Sequence, residues 1–205
     1  MPEKREKKCR DPIALCEDFY RLGGGVWSET RLFREEGVAV LEWKAAFPAP
    51  TTEQFPSERA RQRVGKFYAR LALAASEAVR TQLLPIAVRA YRENDDARKK
   101  FRYRRFRLIH EASVTEENGD ILSIKRRLLL FRSGKLLYAK EEAEVFSLKS
   151  GVLLSLREAK RLFPLEEGVR PRHAPFYIEN GRICFIKGSK KMAPVCSETG
   201  KTAPK

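Results

Sequence analysis

A long helical stripe followed at once by three alternating runs constrains this chain more than any other feature. After Ser57, the residues Val64, Phe67, Tyr68, Leu71, Ala75, Ala78 and Val79 recur at three- and four-residue steps, the period of one α-helical face. Ser57 is placed to cap the first turn. Arg59, Arg61, Arg63, Lys66 and Arg70 fall mostly on the other side. Pro85 has no backbone N–H, so the helix is predicted to kink or restart near Leu84 and to run out at Asn94-Asp95-Asp96. A helix apolar along one stripe must pack on something flat. Three long strand candidates, 101–114, 120–131 and 136–148, supply that surface. Glu117-Asn118-Gly119-Asp120 joins the first two, and Asn-Gly predicts a type I′ hairpin. Arg132-Ser133-Gly134-Lys135 joins the second two. Leu122, Ile124, Leu128 and Leu130 share one face of the middle strand, interrupted by Arg126. On the third strand Glu142 and Glu144 share a face with Leu136, Tyr138, Phe146 and Leu148, which predicts a solvated centre and an antiparallel meander with one wet face.

Shorter elements flank this unit. Runs 27–33 and 38–47 surround Arg34-Glu35-Glu36-Gly37 and read as a hairpin. Ser155-Leu156-Arg157-Glu158 is a capping box opening a short helix over 156–163, which Pro164 stops. Phe176-Tyr177-Ile178 and Ile183-Cys184-Phe185-Ile186 flank Asn180-Gly181 as a last hairpin. The fold class is therefore α+β: an antiparallel meander packed against one long helix, with a second short helix and a C-terminal hairpin. The reading divides the chain into 1–27, a charged segment with a short helix over 12–22 ending at Gly23-Gly24-Gly25; 28–96, the hairpin and long helix; 97–196, the sheet; and 197–205, a disordered tail. With 205 residues, 42% hydrophobic and 34% charged, the chain has the composition of a globular protein. Apolar runs are short, as in 128–131, which predicts no bilayer span. Ile13-Ala14-Leu15-Cys16 is broken by Glu17 and Asp18, too short for a signal peptide. As the sequence stands the chain reads as cytoplasmic; a start codon further upstream would make it extracytoplasmic.

The order of elements resembles a known family. The segment Val145-Phe146-Ser147-Leu148-Lys149-Ser150-Gly151-Val152-Leu153-Leu154-Ser155-Leu156 is similar to a recurring "strand, Asp-Leu-Lys-Thr-Gly, Leu-x-Leu" segment that precedes a short helix ending in Leu-Phe. Phe176-Tyr177-Ile178-Glu179-Asn180-Gly181-Arg182-Ile183-Cys184-Phe185, then Ala193-Pro194, resembles a "Phe-Tyr-Leu, turn, Gly-Ile-x-Phe-x-Phe, Ala-Pro" ending. Both belong to the accessory domain shared by the extracytoplasmic anti-sigma factor RsiV and the peptidoglycan deacetylase PdaC, and residues 38–50 with the long helix resemble its preceding companion domain. The resemblance covers roughly residues 28–196. It implies a non-catalytic binding or sensing module whose partner is an unidentified protein or cell-envelope ligand. Family members usually carry Gly-Gly-Ala-His-Gly in the central hairpin; here the region reads Phe131-Arg132-Ser133-Gly134-Lys135-Leu136, so no ligand contact of that loop is carried over.

The residues themselves offer little for catalysis. His110 lies in a strand beside Glu111, and His173 in a loop between Arg172 and Ala174. There is no nucleophile–base order, and Gly23-Gly24-Gly25 lacks the Lys-Ser/Thr of a phosphate loop. Cys9, Cys16, Cys184 and Cys196 have no zinc-site spacing, and Cys184 reads as a small core residue. No catalytic residue, metal ligand or cofactor is predicted. The stronger signal is charge. The chain carries a net +15, and residues 97–140 hold 13 basic and 4 acidic side chains. Arg102, Arg104, Arg105 and Arg107 are interleaved with Tyr103 and Phe106, and Lys125, Arg126 and Arg127 lie on the paired strand. Alternation places Arg102 and Arg104 on one face and Arg105 and Arg107 on the other. These seven are the predicted ligand-binding residues. The alternative function is binding of nucleic acid or another polyanion without sequence specificity; the bland alternative is a basic sheet face that keeps the protein soluble.

Overall fold

The computed structural model describes residues 26–93, 103–165 and 175–186. The expected helix over 12–22, the C-terminal tail, Arg102, His173, Cys9, Cys16 and Cys196 lie outside the described residues.

Two hairpins and a crossover build one sheet. Strands β1 (Val26–Glu35) and β2 (Val38–Pro48) pair antiparallel around Glu36 and Gly37, which both take positive φ. Helix α1 (Glu58–Ala78) follows, capped by the Ser57 side chain, which accepts from the Ala60 N–H. A π-helical turn, Val79–Leu83, leads into α2 (Leu84–Arg92). There the Leu84 N–H reaches back to the Val79 carbonyl. This wider turn ends where α2 begins, with Pro85 at its start where the donor it lacks is not needed, so the helix restarts near Leu84 as predicted. The chain returns as β3 (Phe106–Glu117), β4 (Ile121–Arg132) and β5 (Lys135–Ser147), the predicted meander. β3 pairs parallel to β2, from Leu41↔Phe106 to Ala45↔His110, giving the order β1-β2-β3-β4-β5. The sheet therefore runs across the boundary read at residue 97. The helical connection makes the parallel pairing possible, because such a crossover needs a dozen or more residues.

The turn between β3 and β4 differs from expectation. Gly119 stays out of the left-handed region, and the Asn118 side-chain carbonyl instead accepts from the backbone N–H of Asp120 and Ile121 at 3.0 and 3.1 Å. Asn118 supplies the turn with its side chain rather than its backbone. Ser133-Gly134 and Asn180-Gly181 do take positive φ at both positions.

One face of the sheet packs under the helix. Leu41, Trp43, Phe47, Phe106, Leu108, Leu122, Ile124 and Phe146 meet Ala60, Val64, Tyr68, Val79, Ala87 and Tyr91, all buried. At one end the other face is covered by α3 (Leu156–Leu162) and the separate hairpin of β6 (Phe176–Glu179) and β7 (Arg182–Phe185). Ile121 and Val145 bury there against Ala159, Ile178 and Ile183. Ser123, wholly buried, accepts from the Ile178 N–H at 2.8 Å and fixes the hairpin to the sheet. The capping box at Ser155 and Glu158 forms as predicted.

Two expectations are corrected. The centre of β5 is not solvated: Glu144 is buried and Glu142 half-buried, because both face the helix. The helical stretch Glu58–Arg92 is long and apolar enough to cross a membrane by length and composition, although its apolar runs are short. A helix that covers a sheet passes the same test, since its stripe needs no unbroken apolar run.

Candidate binding surface

The seven predicted ligand residues do not share one surface. Arg104 is exposed and has no carboxylate partner among the described residues. Arg105 precedes β3 and converges with Arg107 on Glu42 of β2, at 2.9 and 3.1 Å. Lys44 approaches the same carboxylate at 3.3 Å. Burial alone would raise the Glu42 carboxyl, but these three cations outweigh it and hold the pKa below the ordinary value. On β4, adjacent side chains point to opposite faces. Lys125 pairs with Glu141 at 3.3 Å and also lies 5.1 Å from the Tyr177 ring centre. Arg127 pairs with Glu111 at 2.7 Å. The register sets Arg127 directly opposite Glu111 on β3, while Lys125, opposite Ala143 on β5, reaches Glu141 diagonally on the same face.

Arg126 points the other way, into the core. Its guanidinium binds Glu144 through two nitrogens and Glu142 at 2.9 Å, and the side chain is only 11% exposed. Burial opposes its charge, yet Glu144 and Glu142 more than compensate and raise its pKa. Lys140 also binds Glu142, so this inner cluster sums to zero. The Tyr68 hydroxyl lies beside it and makes no hydrogen bond of normal geometry. Burial first, and the Glu144 charge second, push its phenol well above the usual value.

His110 stands at the edge of the same cluster, its ring 5.8 Å from that of Phe47 and 6.3 Å from that of Trp43. Burial, helped by the nearby Arg126 charge, lowers its pKa to about 4. It is neutral at pH 7. A cleft of about 250 Å³ reaches His110, Arg126, Lys140 and Glu142. Its carboxylates and cations are engaged with one another. Among the described residues no group of three or more His, Cys, Asp or Glu side chains is placed to hold a metal ion. Cys184 is half-buried and lies between Ile183 and Phe185, which bury in the core beneath the C-terminal hairpin.

Charge without carboxylate partners among the described residues gathers elsewhere, on the helix face opposite the apolar stripe. Arg59, Arg63, Lys66 and Arg70 recur at steps of four, three and four along α1, all exposed. At 3.6 residues per turn they occupy an arc of about 60° and a length of about 16 Å. None has a carboxylate partner among the described residues. Arg63 instead donates to the Ser150 carbonyl at 2.9 Å. Glu58 is taken by Arg61, on another side of the helix.

Beside this row runs an open groove of about 590 Å³. Its floor is Phe67, Leu71, Ala74 and Phe146, and its far wall is Gly151 and Leu153. Phe67 and Phe146 meet edge-to-face, with ring centres 5.4 Å apart. The wall is the segment 147–153, held by the Leu154 N–H on the Val145 carbonyl and the Ser147 N–H on the Val152 carbonyl. Gly151, at φ +67, lets it approach: a Cβ there would sit 2.3 Å from the Ala60 carbonyl oxygen. Val152 and Leu153 are left 49% and 44% exposed. Thus part of one segment that carried the resemblance, 147–153, forms one wall of the groove. The spacing of the four cations and the lack of acids three or four residues away were legible; the groove beside them required the fold.

No family model and no curated protein matches the chain. Among solved structures, a DUF3298 family member from Bacteroides fragilis aligns at 11% identity with a TM-score of 0.43. That alignment covers 65% of this chain and 58% of the other, so the chain spans less than two thirds of that protein's length.

Proposed function

We propose that the protein is a non-catalytic binding module that takes an anionic ligand along α1. One observation carries this reading: Arg59, Arg63, Lys66 and Arg70 form a single row without carboxylate partners among the described residues, whereas the basic residues of β3 and β4 are largely taken by Glu42, Glu111, Glu141, Glu142 and Glu144. A cation already paired in the folded protein gives up that pair to bind a ligand; an unpaired one does not. Sequence-independent polyanion binding is the second reading, favoured by Arg104, which adds a further exposed cation just before β3.

The test compares two variants on heparin. Arg63→Gln/Lys66→Gln/Arg70→Gln, all at exposed helical positions, is expected to elute at clearly lower salt than the parent protein. Lys125→Gln/Arg127→Gln, which frees Glu141 and Glu111, is expected to shift elution less. The reverse order refutes the assignment to α1. A parent protein that passes through heparin at low salt refutes an anionic ligand altogether.

A further inference from the structure

The geometry points to a binding site for one ordered water between α1 and the β1–β2 hairpin, where the Trp43 indole and the Glu29 carboxylate line a small cavity. The site is independent of the anion-binding reading, since none of its residues belongs to the cation row.

The sequence leaves the space. Ala69, Ala72 and Ser76, at steps of three and four, share one side of α1 and line the cavity together. Opposite them stand Glu29 of β1 and Trp43 of β2. Three small side chains do not close the gap over an indole, and a cavity of about 10 Å³ remains.

Polar atoms around it set the chemistry of what it takes. Trp43 is 0% exposed, and its Nε1–H makes no hydrogen bond among the described residues. Glu29 accepts from Arg31 Nε with one carboxylate oxygen, while the other, Oε2, is buried and has no partner among the described residues. Ser76 is also buried; its hydroxyl oxygen accepts from Arg31 Nη1 at 3.5 Å, which leaves its proton to donate. An indole N–H can only donate and a carboxylate can only accept. Buried groups of both kinds are nearly always paired, with protein or with ordered water. A single bound species that accepts from Trp43 and donates to Glu29 satisfies the two at once.

That requirement selects water. A cation cannot accept the indole proton, and the Arg31 guanidinium already lies 5.4 Å from the centre of the Trp43 ring. A halide cannot donate to Glu29 and is repelled by its charge. Water does both, and the Ser76 hydroxyl supplies a third bond, the usual number for a buried water. The volume fits one molecule. About 10 Å³ is roughly 2 Å on a side, less than the ~2.8 Å between two hydrogen-bonded water oxygens. Glu29, at 23% exposure, gives the water a route in from solvent. The bound water then ties α1 to the edge strand β1 through Ser76 and Glu29.

The experiment is NMR on the full chain, labelled with ¹⁵N-tryptophan, with bulk water as the probe. Trp43→Phe identifies the Trp43 indole resonance by its loss. In the parent protein that indole proton is expected to show a cross-peak to water with the sign of a long-lived contact. Ser76→Ala removes the neighbouring exchangeable hydroxyl and is expected to keep the cross-peak. Ser76→Val places methyl groups in the cavity and is expected to abolish it, with a melting curve confirming the fold; Ala72→Val, from the same lining, repeats this arm if Ser76→Val does not fold. A parent protein without the cross-peak overturns the inference. Its loss in Ser76→Ala also does so, because the signal then came through the hydroxyl. Persistence in the folded valine variant places the water elsewhere and overturns the site.

Discussion

Replacing Arg126 by Met separates a structural cation from a ligand-binding one. In the fold, Arg126 is 11% exposed and its partner Glu144 9%, while Glu142 at 38% retains water. Removing the guanidinium strands the Glu144 carboxylate against Tyr68 and the apolar floor of the helix. An uncompensated buried charge of this kind costs about 3–5 kcal/mol. At about 2–4 °C per kcal/mol for a chain of this size, Arg126→Met lowers Tm by roughly 6–20 °C. Glu144→Leu alone is milder, about 1.5–3 kcal/mol, because Arg126 keeps its bond to Glu142. The double variant Arg126→Met/Glu144→Leu has no charge left to strand. It should fall within about 1 kcal/mol of the parent or exceed it. Urea unfolding, followed by circular dichroism and by Trp fluorescence on all four proteins, gives the coupling directly. A single change costing under about 1 kcal/mol, or a double variant as unstable as Arg126→Met, refutes the buried-pair account. Heparin elution of the folded Arg126→Met protein should match the parent. Weakened retention without lost stability would return Arg126 to the surface.

Three further outcomes follow from single side chains. Because burial lowers the His110 pKa to about 4 from an ordinary 6.5, the unfolded chain takes the proton first. The stability this neutral ring contributes is present above pH 6.5 and lost as pH falls toward 4, by roughly 3 kcal/mol; His110→Phe should flatten that slope in urea midpoints measured from pH 7 to 4, and an unchanged slope refutes the assignment. Gly151→Ala puts a Cβ 2.3 Å from the Ala60 carbonyl oxygen at φ +67, so it should cost about 2–4 kcal/mol in urea unfolding; a loss under about 0.5 kcal/mol refutes the close approach. Tyr68→Phe removes a buried hydroxyl without a normal hydrogen bond, so thermal melting should show stability unchanged or raised by up to about 1 kcal/mol, and a loss above about 2 kcal/mol would show that the hydroxyl is held.

What the sequence discloses depends on how far apart the interacting residues lie. The Ser57 cap, the Ser155–Glu158 capping box and the Ser133-Gly134 turn are decided within four residues, and each forms as read. The Asn118-Gly119 turn is equally local, but Asn118 has two ways to make a turn and uses its side chain. The parallel pairing of β2 with β3 joins residues about sixty positions apart, and no local pattern encodes it. The same limit governs the charge. Density along the chain singles out residues 97–140, yet strand register sets Arg127 beside Glu111 and Arg126 beside Glu142 and Glu144, from neighbouring strands. A strand's charges find their partners across the sheet, where sequence distance says nothing. A helix differs: its side chains find partners three and four residues away on the same element. For Arg63, Lys66 and Arg70 those positions hold no acid, since Glu58 is more than four residues away and Glu77 seven or more. Glu58 itself goes to Arg61. A count of unpaired charge per helical face, rather than of charge per segment, would have found the row. That count is the transferable rule: basic strands neutralise across the sheet, and a basic helical face without acids at three or four residues stays available to a ligand.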